Sequence, residues 1–97
     1  MGRNRDIKRD VEKGLGGAGK LKILRLLLRN PDHAFTRYEI GKTVPNDPVS
    51  IRNDLKTLVQ INWVTPFNVH HLNKYTINRE HEVVQRLADF LRDIRYL

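Results

Sequence analysis

Apolar and polar positions alternate with the period of an α-helix in residues 47–58. Three apolar side chains recur there at spacings of four and then three residues: Ile51, Leu55 and Leu58. Pro48 suits the first position of a helix, and the Asp47 carboxylate can accept hydrogen bonds from the free amides of the first turn. The pattern predicts a helix from Pro48 to about Ile61, ended by Asn62 in the left-handed conformation.

A strongly apolar helix is predicted over residues 21–29. Its six aliphatic side chains cover most of the circumference, and only Lys22, Arg25 and Arg29 remain as one basic stripe. Such a helix must be buried on two sides. We expect the core of its own domain on one side and another helix or a second subunit on the other.

A short helix is predicted over residues 36–43. Thr36 and Glu39 have the spacing of a capping box, in which each side chain satisfies the backbone amide of the other residue. Tyr38 and Ile40 are expected to face inward. A short turn separates this helix from the longer one described first, which gives the proportions of a helix-turn-helix.

Two strands are predicted after the long helix, at residues 63–67 and 74–77, because aromatic and β-branched side chains are concentrated there. Residues 68–73 would form the loop of this hairpin. Pro66 has no amide hydrogen to donate to a neighbouring strand, so its strand is expected at the edge of a sheet.

A closing helix is predicted over residues 79–97, with Asn78 as its cap. Its apolar side chains repeat at four, three, four and three residues, which is typical of helices that pair with another helix. We expect it to pack on the first helix, on a second subunit, or on both. The predicted subunit interface comprises Leu21, Leu28, Val83, Val84, Leu87, Phe90, Leu91, Ile94 and Leu97.

The amino-terminal residues 1–13 suit either a short helix, with Ile7, Val11 and Leu15 on one face, or a disordered basic arm. Four glycines among residues 14–19 are expected to break any helix and to act as a hinge. Their spacing with Lys20 resembles a phosphate-binding loop. However, the required Ser or Thr is replaced by Leu21, so a hinge is the better interpretation.

Charge is distributed unevenly along the 97 residues, whose net charge is +7. Residues 1–30 contain nine Lys or Arg and three Asp or Glu, whereas residues 31–78 contain five and four, and residues 79–97 contain four of each. A basic chain of this size favours polyanions such as nucleic acids. From the length we expect one domain and no second, catalytic one.

Several classes of function find no support in the composition. The absence of cysteine excludes disulfides and thiolate chemistry, and the four histidines are scattered, so no metal site, cofactor or small-molecule ligand is predicted. No set of side chains suggests an enzyme. The longest apolar run has three residues, so no membrane span is predicted, and without a secretory signal we expect a cytoplasmic protein.

The order of these elements resembles the winged-helix regulators of archaea and bacteria that are related to the ArsR and MarR groups. The residues that carry the resemblance are 19–27, 35–36, 40–42, Asp47 with Pro48, Ile51, Leu55 and Leu58, and 75–78. The resemblance implies a mainly α fold with a small β-hairpin wing, in the α+β class. It implies a winged helix-turn-helix domain at residues 20–78, a basic arm or short helix with a glycine-rich hinge at 1–19, and a dimerisation helix at 79–97.

The resemblance also implies function. Members are usually homodimeric transcription factors that place the helix at residues 47–61 in the major groove of double-stranded DNA and the hairpin at 63–77 as a wing against the backbone or minor groove. Arginine, lysine and asparagine suit such contacts because they pair with guanine, phosphate and adenine. The candidate DNA-binding residues are Thr36, Arg37, Lys42, Val49, Ser50, Arg52, Asn53, Lys56, His70, His71, Asn73 and Lys74.

An alternative remains open at this point. The near-neutral charge of residues 31–78 also suits a winged-helix module that binds other proteins and has no specific affinity for DNA. In that case the polar face of the helix at residues 47–61 would only be in contact with solvent.

Overall fold

The computed structural model describes residues 7–97, which form five helices and a three-stranded antiparallel sheet. The helices are α1 (Ile7–Leu15), α2 (Ala18–Arg29), α3 (Arg37–Thr43), α4 (Pro48–Gln60) and α5 (Glu82–Asp93). The strands are β1 (Phe35–Thr36), β2 (Val64–Val69) and β3 (Leu72–Ile77), with β3 in the middle of the sheet. The predicted α+β class and the order of elements are confirmed.

The core forms where α2 and α4 cross the base of the hairpin. The predicted helical periods are seen directly, because Ile51, Leu55 and Leu58 of α4 are all buried. Trp63, at the junction of α4 and β2, has no exposed surface. From α5, Val84 reaches the same core. This packing sets the angle between α4 and the hairpin.

The hairpin differs from the prediction in the length of its loop. The expected six-residue loop at residues 68–73 is wrong, because β2 and β3 pair as far as Val69 and Leu72. Only His70 and His71 form the turn, with φ of 50° and 67°, the sign pattern of a type I′ turn. Pro66 lies on β2, an edge strand, as predicted.

The start and end of α5 also differ from the prediction. The cap is His81, whose Nδ1 accepts a hydrogen bond from the Val83 amide at 3.1 Å. Asn78 instead holds the preceding turn, where its side chain donates to the Asn62 carbonyl at 2.8 Å. At the other end, the Tyr96 amide donates to the Leu91 carbonyl at 2.8 Å, so α5 has 12 residues and not 19.

The glycine-rich segment is not a break of the predicted length. Helix α1 continues through Gly14 to Leu15, and α2 begins at Ala18, so only two residues lie between them. Gly14 is buried, and a Cβ built there would lie 2.3 Å from Trp63 Cζ3. Gly19 is similarly close to Asp54. Both glycines therefore allow close packing. The short-helix alternative is confirmed for α1, whereas residues 1–6 lie outside the part that the structure describes.

Two side chains cap the helices of the helix-turn-helix. Asp47 accepts hydrogen bonds from the amide and the hydroxyl of Ser50, both at 2.8 Å. Thr36 Oγ1 accepts from the Glu39 amide at 3.1 Å while the Thr36 amide donates to Glu39 Oε1 at 2.8 Å, so the predicted capping box is confirmed. The backbone amides of Ser50 and Thr36 are the main reason that the pKa values of Asp47 and Glu39 are lowered.

The contact between Gly14 and Trp63 gives a first prediction. We expect Gly14→Ala to lower the free energy of unfolding, because overpacking costs about 1–3 kcal/mol. Gly41→Ala is the matched control: its Cβ would meet only Ile51 Cδ1 at 3.6 Å, an ordinary contact. Since alanine favours helix over glycine by about 0.5–1 kcal/mol, the control should be stabilised. Urea unfolding followed by Trp63 fluorescence measures both, and stabilisation by Gly14→Ala would contradict the packing.

The Asp47 cap gives a second prediction, on the pH dependence of stability. Because the folded-state pKa is lowered, the stability that the charged cap contributes is present above the unfolded pKa and is lost as the pH falls through the folded value. The stability difference between the wild type and Asp47→Asn should therefore shrink below about pH 4. Unfolding curves between pH 6 and 2.5 measure this difference. A constant difference over that range would refute the charged cap.

Candidate nucleic-acid interface

The solvent-facing side of α4 presents a compact set of polar side chains. Arg52, Asn53 and Lys56 are exposed, and the apolar Val49 beside them is 55% exposed. Within residues 7–97, no hydrogen bond or ion pair engages the side chains of Arg52, Asn53 or Lys56. Ser50 differs, because it is half-buried and its hydroxyl donates to Asp47. The first three side chains are therefore free to bind a partner.

The acidic residue of α4 points away from this set. Asp54 lies 3.7 Å from Lys20 Nζ, and its side chain is only 19% exposed. Its carboxylate approaches the first turn of α2 at Gly19, where free backbone amides favour negative charge. The Lys20 side chain also donates to the Gly16 carbonyl at 3.0 Å. As a result, the charge of Asp54 is held at α2 and offset there.

Helix α3 lies beside α4 and adds cations to the same region. Arg37 and Lys42 are exposed, and a groove of about 420 Å³ runs between α3 and the start of α4. Tyr38 also lines this groove and is 75% exposed, so the prediction that it faces inward is wrong. Tyr38 and Ile40 are two residues apart, or about 200° around a helix, and only Ile40 is buried.

Tyr38 is thus a candidate contact that the sequence pattern did not identify. The Lys42 ammonium lies 5.3 Å from the centroid of its ring, a cation–π arrangement that holds both side chains at the surface. The spacing of four residues between Tyr38 and Lys42 is the signal that could have indicated this contact. Both side chains lie on the exposed surface of α3.

The hairpin presents a less charged surface. His70, His71 and Asn73 are exposed at or near its tip, where the Asn68 side chain accepts from the His71 amide at 3.1 Å and donates to Asn73 Oδ1 at 3.0 Å. Lys74 is half-buried. It pairs with Thr36 across the sheet and is close enough to Glu39 to help lower the pKa of that carboxyl. The positive charge of the wing is therefore partly offset.

The residues predicted at a subunit interface are divided between the core and the surface. Val84 and Leu91 are 2% and 5% exposed within the single chain, so they have little area to offer to a partner. Leu21, Leu28, Val83, Leu87 and Leu97 are half-buried. Phe90 and Ile94 are 57% and 55% exposed. Helix α1 adds two exposed apolar side chains that the predicted interface omitted, Ile7 and Leu15.

Two further structural observations concern residues 7–97. No group of three or more His, Asp or Glu side chains in this range is arranged to hold a metal ion. None of the helices in the same range is both long enough and apolar enough to cross a membrane.

The sequence matches no protein-family model and no curated protein. Solved structures are similar nevertheless. HlyU from Vibrio cholerae superimposes with a TM-score of 0.78 at 18% identity, covering 100% of both chains. NolR from Sinorhizobium fredii gives 0.72 at 15% identity, over 89% of this chain and 81% of that one.

A third similar structure comes from an archaeon. Sso10a-2, a DNA-binding protein from Sulfolobus solfataricus, gives a TM-score of 0.59 at 17% identity, over 80% of this chain and 82% of that one. An ArsR family transcriptional regulator also superimposes, with a TM-score of 0.63. Together with the helix-turn-helix at α3 and α4 and the β2–β3 hairpin, these similarities show that the chain has a winged helix-turn-helix fold.

Proposed function

We propose that the protein is a homodimeric transcription regulator that binds specific sequences of double-stranded DNA. Helix α4 enters the major groove, and the β2–β3 hairpin is the wing. The observation that carries the proposal is the set Arg52, Asn53 and Lys56, three exposed side chains without partners among residues 7–97, on a helix whose opposite face is buried in the core.

The chemistry of these side chains suits base recognition. The major groove admits an α-helix, and there arginine pairs with the two acceptors of guanine while asparagine pairs with adenine. Lys56 can bind guanine or a phosphate. Val49 offers an apolar contact for a thymine methyl group. Arg37, Tyr38 and Lys42 on α3 suit the DNA backbone beside the groove, because cations and hydroxyl groups bind phosphates.

A dimer fits the apolar surface that the single chain leaves open. Phe90 and Ile94 lie four residues apart on α5, and Ile7 and Leu15 lie on one face of α1. Exposed apolar side chains at this spacing are typical of helices that pack against another subunit. Two copies would also double the positive charge available to DNA and would place two α4 helices on adjacent half-sites.

A second candidate function rests on the outer face of the hairpin. Phe67 and Leu72 are 42% and 54% exposed, and the strand register places both on the same face of the sheet. This apolar face favours a surface that binds another protein. The alternative module without specific DNA binding would use it in place of α4.

The proposal predicts that Arg52→Ala/Asn53→Ala/Lys56→Ala abolishes sequence preference, because each good base contact contributes about 1–3 kcal/mol of discrimination. Bound sequences are first selected from random duplex DNA with the wild type. The ratio of specific to non-specific affinity is then measured for each variant. We expect this ratio to fall at least about tenfold while the thermal melting temperature is retained.

The matched control for this experiment is Gln85→Ala/Arg86→Ala/Arg92→Ala. It removes the same two positive charges and one amide from the exposed surface of α5. It should lower affinity for all sequences slightly and leave the preference intact. Equal losses in the two triple variants would refute α4 as the reading helix. Recovery of a stable protein partner without any DNA shift at low salt would favour the second function.

The dimer is tested by Phe90→Glu/Ile94→Glu. We expect this variant to sediment with the mass of one chain at micromolar concentration. In a dimer, each subunit would bury two unpaired carboxylates at the interface, which costs free energy. Phe67→Glu/Leu72→Glu is the control, with the same change of charge and size on the hairpin. It should remain dimeric. A wild-type protein that sediments as one chain would contradict the homodimer directly.

A further inference from the structure

A groove on the outer side of α2 lies outside the surface that is proposed above to read DNA bases. It has a volume of about 550 Å³, within the range of small-molecule sites, about 300–1,000 Å³. Its walls come from three parts of the fold: α2, the turn between α3 and α4, and the segment after α5. The residues that line it are Lys22, Arg25, Leu26, Arg29, Asn30, Thr43, Val44, Pro45 and Tyr96.

The groove carries positive charge without a compensating acid. Lys22, Arg25 and Arg29 form the basic stripe of α2, and no aspartate or glutamate is among the lining residues. The ion pairs seen within residues 7–97 involve other cations, such as Lys20 with Asp54 and Arg79 with Asp32. Like charges three and four residues apart on a helix repel each other. A bound anion would relieve this repulsion.

Arg25 is held in a fixed position at the centre of the stripe. Its Nε donates to the Tyr96 carbonyl at 2.6 Å, and its guanidinium lies 5.0 Å from the centroid of the Tyr96 ring. The side chain is half-buried as a result. Neither Nη atom has an acceptor within residues 7–97. The side chain therefore offers a pre-oriented pair of donors, the geometry that binds two oxygens of one anion.

We propose that this groove is a phosphate-binding site. Three cations more than offset the two negative charges of a phosphate dianion, and the two free donors of the Arg25 guanidinium suit its oxygens. Leu26, Val44 and Pro45 provide an apolar wall, which suits a phosphate carried on an apolar or aromatic body. The same chemistry could come from a free organic phosphate or from the backbone of bound DNA.

Occupancy of the groove would tie together the parts of the fold that form it. Because the walls belong to α2, the α3–α4 turn and the segment after α5, a ligand that contacts all three stabilises their arrangement more strongly as its concentration rises above the dissociation constant. The α3–α4 turn precedes the proposed reading helix. A phosphate compound bound here would thus raise the melting temperature. If it changes the affinity for DNA, bound DNA changes the affinity for the phosphate compound by the same factor.

The test uses phenyl phosphate and the full chain, without DNA, so that its outcome does not depend on the proposed function. Backbone amide shifts are followed by NMR at constant ionic strength. We expect saturable shifts at residues 22–30, 43–44 and 96, with millimolar affinity. Lys22→Gln/Arg29→Gln should weaken binding about tenfold, because bonds between charged groups are the strong ones. This pair leaves the Arg25–Tyr96 contact in place.

Arg86→Gln/Arg92→Gln is the matched control, since it removes two exposed arginines from α5 and the same net charge. It should leave the affinity for phenyl phosphate unchanged. Arg25→Lys keeps the charge but removes the two-pronged donor, and it should weaken binding while thermal melting shows a folded chain. The site would be overturned if the α2 and α5 pairs weakened phenyl phosphate binding equally and the α2 pair left the salt slope of DNA binding unchanged.

A second arm distinguishes the sources of phosphate. Duplex DNA is titrated at several salt concentrations into the wild type and both glutamine pairs. A salt slope that falls by about one to two for the α2 pair alone identifies DNA phosphates as the occupant. Saturable phenyl phosphate binding with an unchanged slope identifies a free phosphate compound. Absence of both effects would refute the phosphate site.

Discussion

The packing of Trp63 is the contact on which the arrangement of the fold depends. Its ring lies against Gly14 of α1 and meets the His81 ring edge-on at the start of α5, with 6.5 Å between centroids. Its amide donates to the Leu58 carbonyl, and its carbonyl accepts from the Asn78 amide. Within residues 7–97 its buried Nε1 has no acceptor. An unsatisfied buried donor lowers the free energy of unfolding by about 1–3 kcal/mol, and the packing contacts of the large ring offset this loss.

The same junction fixes the angle between the reading helix and the wing. Only three residues separate α4 from β2, and Asn62 reverses the chain there with φ of 66°. The Asn78 side chain donates to the Asn62 carbonyl, so the end of β3 is tied to the end of α4. Both strands of the hairpin are therefore joined to the end of α4, which sets the position of the hairpin relative to that helix.

Local interactions explain which parts could be predicted from the sequence. The Asp47 cap, the capping box at Thr36 and the period of α4 all lie within a few residues, so the pattern alone contains them. The position of Gly14 depends on Trp63, a neighbour distant in the chain, and no local pattern distinguishes a packing glycine from a hinge. The His70–His71 turn lacks the usual asparagine and glycine, so its length was not recognisable. The cap by His81 is similarly uncommon.

In the proposed function, the distribution of charge assigns non-specific affinity for DNA and selectivity among base sequences to different helices. On α4 only Arg52 and Lys56 are positive, and Asp54 is offset by Lys20 of α2, so the reading face attracts phosphates weakly in any sequence. In that function, the basic residues of α1 and α2, outside this face, add a long-range attraction to DNA that depends on salt and not on base sequence. A reading helix of modest charge contributes little to non-specific binding. Its proposed contacts with bases would therefore increase the ratio of specific to non-specific affinity, on which discrimination among many competing sites depends.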